Sequence, residues 1–295
     1  MLFKGLAPAV IAPMKADGSL DLDAFDRLIH FLVDNGSQAL VINGTTGESP
    51  TLTAEEKVTL IEHAVKIANH RVPIIAGTGT NNTAASIKAS QEAKAAGADG
   101  LLLVTPYYNK ASQKSLKAHF EAIVNAVELP AILYNVPGRT GMTIAVDTLV
   151  ELAKHPYIVG IKDATGNTAY TMEVLAKTQD LDFVVYSGED GLILPMLASG
   201  VMGVISVIGN VFPKATQHLC ELIFNQQLEE ARKVAYDLAK MNQLLFADVN
   251  PIPVKACMAH LGYGDNVLRL PLMKADQALE EKLYACMDEL VKKGY

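Results

Sequence analysis

The fold is decided by residues 131–163, which read AILYNVPGRTGMTIAVDTLVELAKHPYIVGIKD. Two short apolar runs, Ala131–Tyr134 and Ile158–Ile161, enclose a stretch that is long enough for a loop and a helix. Both runs are apolar throughout rather than alternating, which is typical of strands that are covered on both faces of a parallel sheet. The segment therefore predicts a strand–helix–strand unit of an α/β protein.

The same rhythm recurs along the chain at intervals of roughly 20–35 residues. The other apolar runs are Leu6–Ile11, Ala39–Ile42, Ile74–Ala76, Leu101–Val104, Phe183–Tyr186 and Val204–Val207. The intervening stretches look helical: Thr53 and Glu56 have the spacing of a capping box, and Ala84–Ala96 ends at Gly97. Eight such units predict a (β/α)8 TIM barrel, and an open doubly wound sheet is the alternative.

The pattern changes after Val207, where helical segments follow one another without a strand between them. They are Pro213–Asn225, Leu228–Phe246, Ile252–His260 and Lys274–Lys293. We therefore predict a catalytic barrel over residues 1–225 and a C-terminal helical region over residues 226–295. The uncharged segment Gly191–Pro213 is long enough to span a bilayer, but its glycines and prolines favour a buried helix, Leu192–Ala198, followed by a turn and a strand.

Composition excludes several classes of partner. The chain has 295 residues, with 25 Lys and Arg against 32 Asp and Glu, which leaves a formal charge of −7. This acidic balance argues against a nucleic-acid partner, because phosphate binding requires clustered cations. The first 15 residues lack the pattern of a signal peptide, and the three cysteines are widely spaced. We therefore expect free thiols, no membrane association and a cytoplasmic location.

Two classes of cofactor are also disfavoured by the sequence. The stretch Gly77-Thr78-Gly79 follows a predicted strand, but Asn82 stands where a dinucleotide fingerprint requires its third glycine. The seven histidines form no H-x-H or H-E-x-x-H pattern. We therefore expect neither a nucleotide cofactor nor a metal.

The sharpest chemical feature is a lysine at the end of one apolar run. Active sites of (β/α)8 barrels lie at the carboxyl ends of the strands, and Lys162 directly follows Ile158–Ile161. A lysine stem that starts in a low-dielectric interior has a lowered pKa, so its free amine can attack a ketone and form a Schiff base. The alternative is a lysine that extends to solvent or pairs with Asp163.

Other polar residues end neighbouring runs, and each has a structural alternative. The Tyr134 phenol can shuttle protons near an imine, or it is a core tyrosine with a satisfied hydroxyl. Thr45 and Thr46 can relay protons or bind a carboxylate, or they only form a turn. Arg139, in a loop bounded by glycine and proline, suits bidentate recognition of a carboxylate, or it is a solvated surface arginine.

Five motifs resemble those of the dihydrodipicolinate synthase family, the pyruvate-dependent class I aldolases that also include N-acetylneuraminate lyase. They are Gly44–Glu48, Tyr107–Asn109, Tyr134–Gly141, Gly160–Asp163 and Ser187–Asp190. The resemblance runs through nearly the whole chain. It implies a metal-independent, Schiff-base-forming lyase with no cofactor beyond the covalent imine. Pyruvate would condense with L-aspartate 4-semialdehyde to give 4-hydroxy-tetrahydrodipicolinate, a precursor of diaminopimelate and lysine.

The resemblance also implies catalytic roles for matching positions. Lys162 would be the Schiff-base residue, and Tyr134 the proton donor and acceptor beside the imine. Thr46 would link Tyr134 to Tyr108, which in the family reaches across from a neighbouring subunit. The implied assembly is a homotetramer, a dimer of dimers, and at least a dimer.

The same comparison implies the substrate contacts. Arg139 would hold the carboxylate of the semialdehyde, whereas Thr45 and Thr46, with the backbone at Gly188 and Ile205, would hold pyruvate. N-acetylneuraminate lyase and 2-keto-3-deoxy sugar-acid aldolase are the alternatives, since they use the same imine chemistry. Thr45 and Arg139 together favour the synthase, and a non-catalytic sensor of keto acids is a further, different hypothesis.

Two departures from the family pattern are visible. Ala111 stands where the family usually has proline, and we expect no loss of chemistry from it. Members that lysine inhibits often carry histidines and an acidic residue where this chain has Ala54, Lys57 and Ala85. The Lys57 cation would repel the ammonium of lysine, so we predict weak or absent lysine inhibition.

Overall fold

The computed structural model describes all residues from Met1 to Tyr295 and contains eight parallel strands separated by helices. The strands are β1 (Gly5–Pro8), β2 (Leu40–Ile42), β3 (Ile74–Gly77), β4 (Gly100–Val104), β5 (Ala131–Asn135), β6 (Ile158–Asp163), β7 (Val184–Ser187) and β8 (Gly203–Ser206). Strand β1 is shorter than predicted. The pairing of β1 with β8 ends at Pro8, and three residues later the Ile11 N–H donates to the Asn210 side chain instead of to a strand.

Helices cover the outside of the strands. They are α1 (Leu22–Asp34), α2 (Ala54–Ala68), α3 (Thr83–Ala95), α4 (Gln113–Val127), α5 (Pro137–Thr140), α6 (Val146–Leu152), α7 (Thr168–Thr178), α8 (Ile193–Ala198), α9 (Pro213–Phe224), α10 (Leu228–Leu244), α11 (Ile252–His260) and α12 (Gln277–Lys292). The predicted capping box begins α2: the Glu56 N–H donates to the Thr53 hydroxyl, and the Thr53 N–H donates to the Glu56 carboxylate.

The strands form a closed ring. Neighbours pair in parallel in the order β1, β8, β7, β6, β5, β4, β3 and β2. The ring closes between β1 and β2, where Ala9 bridges Val41. The predicted (β/α)8 barrel is confirmed, and the open doubly wound alternative is wrong.

Two apolar layers stabilise the barrel. The inner layer lies within the ring and includes Tyr134, Tyr186 and Ile205, while the larger outer layer fills the space between strands and helices. Phe3, which precedes β1, stacks on Tyr186 with the ring centroids 4.2 Å apart, and the Tyr186 hydroxyl donates to the Phe3 carbonyl. These two aromatic rings therefore fill part of the barrel interior near the start of β1.

The chain after β8 contains helices and no further strand, as predicted. The last helix begins at Gln277 rather than Lys274, because the Asp276 side chain accepts the Leu279 N–H and caps the helix there. The boundary between a barrel and a helical region at residue 225 stays a prediction. The segment Gly191–Pro213 forms α8 and β8, and none of the helices is both long and apolar enough to cross a membrane.

Candidate active site

Lys162 lies within β6, near the carboxyl end of the strand and in register with Tyr134 on β5. The strand extends through Asp163, slightly beyond the predicted run. The lysine is only 6% exposed, and its Nζ lies 4.4 Å from the centroid of the Tyr134 ring. The amine and the phenol therefore share one buried space inside the barrel.

The surroundings of Lys162 disfavour its ammonium form. Burial lowers the lysine pKa from 10.5 to about 8, although the carboxylates of Asp190 and Glu189 oppose this shift. Lys162 forms no ion pair with Asp163, whose carboxylate instead accepts the Thr171 hydroxyl at 2.6 Å and the Thr165 N–H at 2.9 Å. An appreciable fraction of free amine therefore exists near neutral pH.

Gly188 makes room for the lysine stem. A Cβ at this position would lie 3.0 Å from Lys162 Cε and 2.7 Å from the Ala164 Cβ, so a larger residue would displace the lysine. The Gly188 N–H already donates to the Asp163 carbonyl. The sequence predicted that the backbone of Gly188 contacts pyruvate. Because its N–H is already used, only the Gly188 carbonyl is free to face a ligand.

Tyr134 keeps its proton at neutral pH. Burial raises the pKa of its phenol to about 12, and the nearby Arg139 guanidinium and Thr45 side chain oppose this only in part. A protonated phenol beside the Lys162 amine can donate to an oxygen that leaves during imine formation.

The two threonines have different neighbours. The Thr46 hydroxyl accepts Asn250 Nδ2 at 3.1 Å, whereas the Thr45 side chain lies beside the Tyr134 phenol. Both belong to a 3₁₀ turn over Thr45–Gly47, in which successive side chains point about 120° apart. Within one chain the Thr46 hydroxyl forms no hydrogen bond with Tyr134, so the predicted link of Thr46 between Tyr134 and Tyr108 stays a prediction.

Tyr108 lies outside this space. It is 93% exposed, and its backbone is left-handed with φ of 68°. Within a single chain the structure does not bring Tyr108 to Tyr134 or to either threonine.

The other predicted site residues lie close together at one end of the barrel. A cavity of about 60 Å³ at the carboxyl end of the strands is lined by Thr45, Thr46, Tyr134, Arg139, Lys162 and Gly188, among others. Ile205 lies in the inner layer of the barrel on β8 and is buried. Glu189, which was not predicted, supplies a carboxylate to the same cavity, and burial raises its pKa.

Arg139 is held at the mouth by its own short helix and by the C-terminal part of the chain. The predicted loop is the one-turn helix α5, which Pro137 begins and Gly141, with φ of 67°, ends. One guanidinium nitrogen donates to the Asn250 carbonyl at 3.1 Å. The remaining donors of the guanidinium can face an anionic ligand.

Asn250 completes the site, although no motif indicated it. Its side chain holds Thr46 and its carbonyl holds Arg139, so one residue orients two substrate-binding candidates. Its only signal in the sequence is the Asn250-Pro251 pair, which indicates a turn but not a partner.

A buried ion pair anchors the C-terminal helices beneath the threonine turn. Lys255 Nζ lies 2.6 Å from Glu48 Oε1, and each side chain is only 1% exposed. The second Glu48 oxygen accepts the backbone N–H of Arg269. Lys255 stands alone as a charge in the apolar sequence Ile252–Met258, and such a charge indicates a buried partner without identifying it.

Comparison with known proteins agrees with this geometry. The model of the Dihydrodipicolinate synthetase family matches residues 2–290. The 4-hydroxy-tetrahydrodipicolinate synthase of Staphylococcus haemolyticus is 48% identical over 277 residues, which cover 94% of this chain and 93% of that protein. The synthase of Alkaliphilus oremlandii is 45% identical over 293 residues, 99% of both chains. The crystal structure of dihydrodipicolinate synthase from Thermotoga maritima matches with a TM-score of 0.96 and 38% identity, over 98% of this chain and 99% of that chain. This chain therefore belongs to the dihydrodipicolinate synthetase family.

Proposed function

We propose that this protein is a lyase that condenses pyruvate with L-aspartate 4-semialdehyde to give 4-hydroxy-tetrahydrodipicolinate. The observation that carries the proposal is the buried amine of Lys162, with its pKa lowered to about 8, beside the protonated phenol of Tyr134. The two relatives described above are named for this activity. The product would feed the synthesis of diaminopimelate and lysine.

The reaction begins on Lys162. Its amine attacks the C2 carbonyl carbon of pyruvate, and loss of water leaves an imine, with Tyr134 donating a proton to the departing oxygen. Loss of a proton from the methyl carbon converts the imine into an enamine. This carbon then attacks the aldehyde carbon of the semialdehyde, whose oxygen takes up a proton and becomes the hydroxyl.

Ring closure releases the enzyme. The amino group of the bound semialdehyde attacks the imine carbon, and expulsion of Lys162 as a free amine closes the heterocycle. Every step uses the lysine, the phenol and the two substrates, so we propose that the enzyme needs no metal and no organic cofactor.

Arg139 favours the synthase over the alternative aldolases. Its guanidinium lines the catalytic cavity and suits the carboxylate of a short semialdehyde. N-acetylneuraminate lyase and sugar-acid aldolases act on longer hydroxylated chains, which need neutral hydrogen-bond partners instead. Thr45 and Thr46, with the carbonyl of Gly188 and the backbone of Ile205, would receive the pyruvate end.

We also propose that the active unit is an oligomer in the cytoplasm. Tyr108 is almost fully exposed on a left-handed turn, and a tyrosine that completes the site of a neighbouring subunit would be presented in this way. We propose at least a dimer, and a homotetramer built as a dimer of dimers. The three buried, unpaired cysteines suit a reducing compartment.

Borohydride trapping tests the chemistry. Incubation with pyruvate and borohydride should add one reduced pyruvate to Lys162, which peptide mass spectrometry locates. Lys162→Ala should abolish both the adduct and the turnover, whereas Lys177→Ala, on the exposed face of α7, should leave both unchanged. Turnover near the wild-type level in Lys162→Ala would overturn the proposal. A panel of semialdehyde with pyruvate, N-acetylneuraminate and keto-deoxygluconate separates the substrate classes.

A further inference from the structure

The segment that carries Arg139 has little structure of its own. Helix α5 contains only four residues, and Thr140 is the only one of them that is buried. A helix of one turn is not stable by itself, because the cost of nucleation is not recovered over so few hydrogen bonds. A Cβ added at Gly138 would meet no atom within 4 Å, so one side of the helix is open. The position of the Arg139 backbone therefore depends on contacts that reach α5 from other elements.

Thr105, which directly follows β4, supplies the first of these contacts. It is fully buried, its hydroxyl donates to the Thr140 hydroxyl at 3.1 Å, and its N–H donates to the Tyr134 carbonyl at 3.1 Å. The Thr140 hydroxyl in turn donates to the carbonyls of Val136 and Met142, on either side of α5. One threonine thus joins the backbone of Tyr134 to the only buried side chain of the helix that carries Arg139.

Tyr170, on α7, supplies the second contact, where the chain leaves this segment. Its hydroxyl donates to the Ile144 carbonyl at 2.8 Å. The Ile144 N–H donates to the side chain of Asn135, a fully buried residue at the end of β5. Both backbone polar groups of Ile144 are therefore held by side chains from two different elements. The segment Val136–Ile144 is in this way fixed at its helix by Thr105 and at its far end by Tyr170.

Neither of these two side chains lines the catalytic cavity, whereas Arg139 does. We propose that Thr105 and Tyr170 are positioning residues, which fix the segment Val136–Ile144 so that the Arg139 guanidinium stands at the mouth of the catalytic cavity. The inference rests on the proposed function in one respect, namely that Arg139 receives the carboxylate of the semialdehyde. A displacement of about 1 Å in such a group is enough to weaken a productive complex, even when its cause lies away from the reacting atoms.

Steady-state kinetics of Thr105→Val and Tyr170→Phe test the proposal, since each variant keeps the shape of the side chain and removes one hydroxyl. We expect the KM for the semialdehyde to rise about fivefold in each, while the KM for pyruvate and the borohydride trapping at Lys162 stay unchanged. Thr105→Ser keeps the hydroxyl and should restore most of the wild-type KM. Thr178→Val is the matched control and should change neither KM, because the buried Thr178 hydroxyl donates only within α7, to the Val174 carbonyl.

A double-mutant cycle with Arg139→Ala separates positioning from a general loss of stability. If Thr105 and Tyr170 act through Arg139, adding Thr105→Val or Tyr170→Phe to Arg139→Ala should raise the KM for the semialdehyde no further. Additive effects, or an equal rise in the KM for pyruvate, would refute the proposal. A wild-type protein that forms no adduct with pyruvate would overturn the proposed function. Normal trapping and a KM that rises in Arg139→Ala but not in Thr105→Val or Tyr170→Phe would overturn only the present inference.

Discussion

Replacing Lys162 with methionine should stabilise the folded protein while it abolishes the reaction with pyruvate. The lysine is only 6% exposed, and the drop in its pKa from 10.5 to about 8 means that the folded state disfavours its ammonium. That drop corresponds to about 3 kcal/mol of unfavourable free energy. Methionine has a similar shape and no charge, so Lys162→Met should recover most of this amount.

The increase in the free energy of unfolding caused by Lys162→Met should become smaller as the pH rises. Below about pH 8 the Lys162 side chain is protonated in both the folded and the unfolded chain, so the full penalty applies. Between the folded pKa of about 8 and the unfolded value of 10.5, the folded protein loses its proton first and the penalty declines. Well above 10.5 both states are neutral, and the two proteins should differ only by packing.

Urea unfolding at pH 7 and near pH 10.5, at a fixed protomer concentration, measures this difference. Lys177→Met is the control, because Lys177 is an exposed lysine that pairs with Asp147 and Glu173, and its loss should bring no stabilisation. The argument that burial of Lys162 destabilises the folded protein would be refuted by either of two results. One is a free energy of unfolding for Lys162→Met at pH 7 that does not exceed the wild-type value, and the other is an equal increase at both pH values.

Other contacts of the site lead to further expectations. The rate of imine trapping should rise with pH and level off above about pH 8, because deprotonation of Lys162 supplies the amine; a flat profile in quenched-flow trapping would contradict this. Asn250→Ala should raise the KM for pyruvate about tenfold, since the Thr46 hydroxyl loses the hydrogen bond from the Asn250 side chain, while the Arg139 contact remains because it uses the Asn250 backbone carbonyl; an unchanged KM in steady-state kinetics would count against it. Lys255→Met should lower the free energy of unfolding by about 3–5 kcal/mol, because Glu48 remains buried as an unpaired charge, and the double variant with Glu48→Gln should lose less. Free lysine at millimolar concentration should leave turnover unchanged, and strong inhibition would show that the Lys57 cation does not repel its ammonium.

The strands of the barrel could be predicted from the sequence alone. Runs such as Ala131–Tyr134 are apolar on both faces, and a strand of this kind is stable only where helices cover one side and a filled interior covers the other. The position of Lys162 at the end of such a run likewise predicted a desolvated amine, because the strand itself carries the residue into the barrel.

Contacts between segments that are distant in the sequence could not be predicted in this way. Thr45 and Thr46 are adjacent and chemically alike, so only the direction of the 3₁₀ turn decides which of them meets Tyr134. Asn250 and Lys255 reach the threonine turn from about 200 residues away in the chain, as hydrogen bonds to Thr46 and Glu48. Hydrophobic periodicity does not predict such a pairing, since it indicates only which face of a single helix or strand is buried.

The sequence by itself thus determined the barrel, the position of the buried Lys162 and the family, because local burial patterns and contiguous motifs carry that information. Only the tertiary structure decided which threonine lies beside Tyr134, that the Asn250 carbonyl holds Arg139, and that Lys255 pairs with Glu48. These features depend on distances and side-chain directions, which are set when the ring of strands closes and the C-terminal helices pack against its mouth.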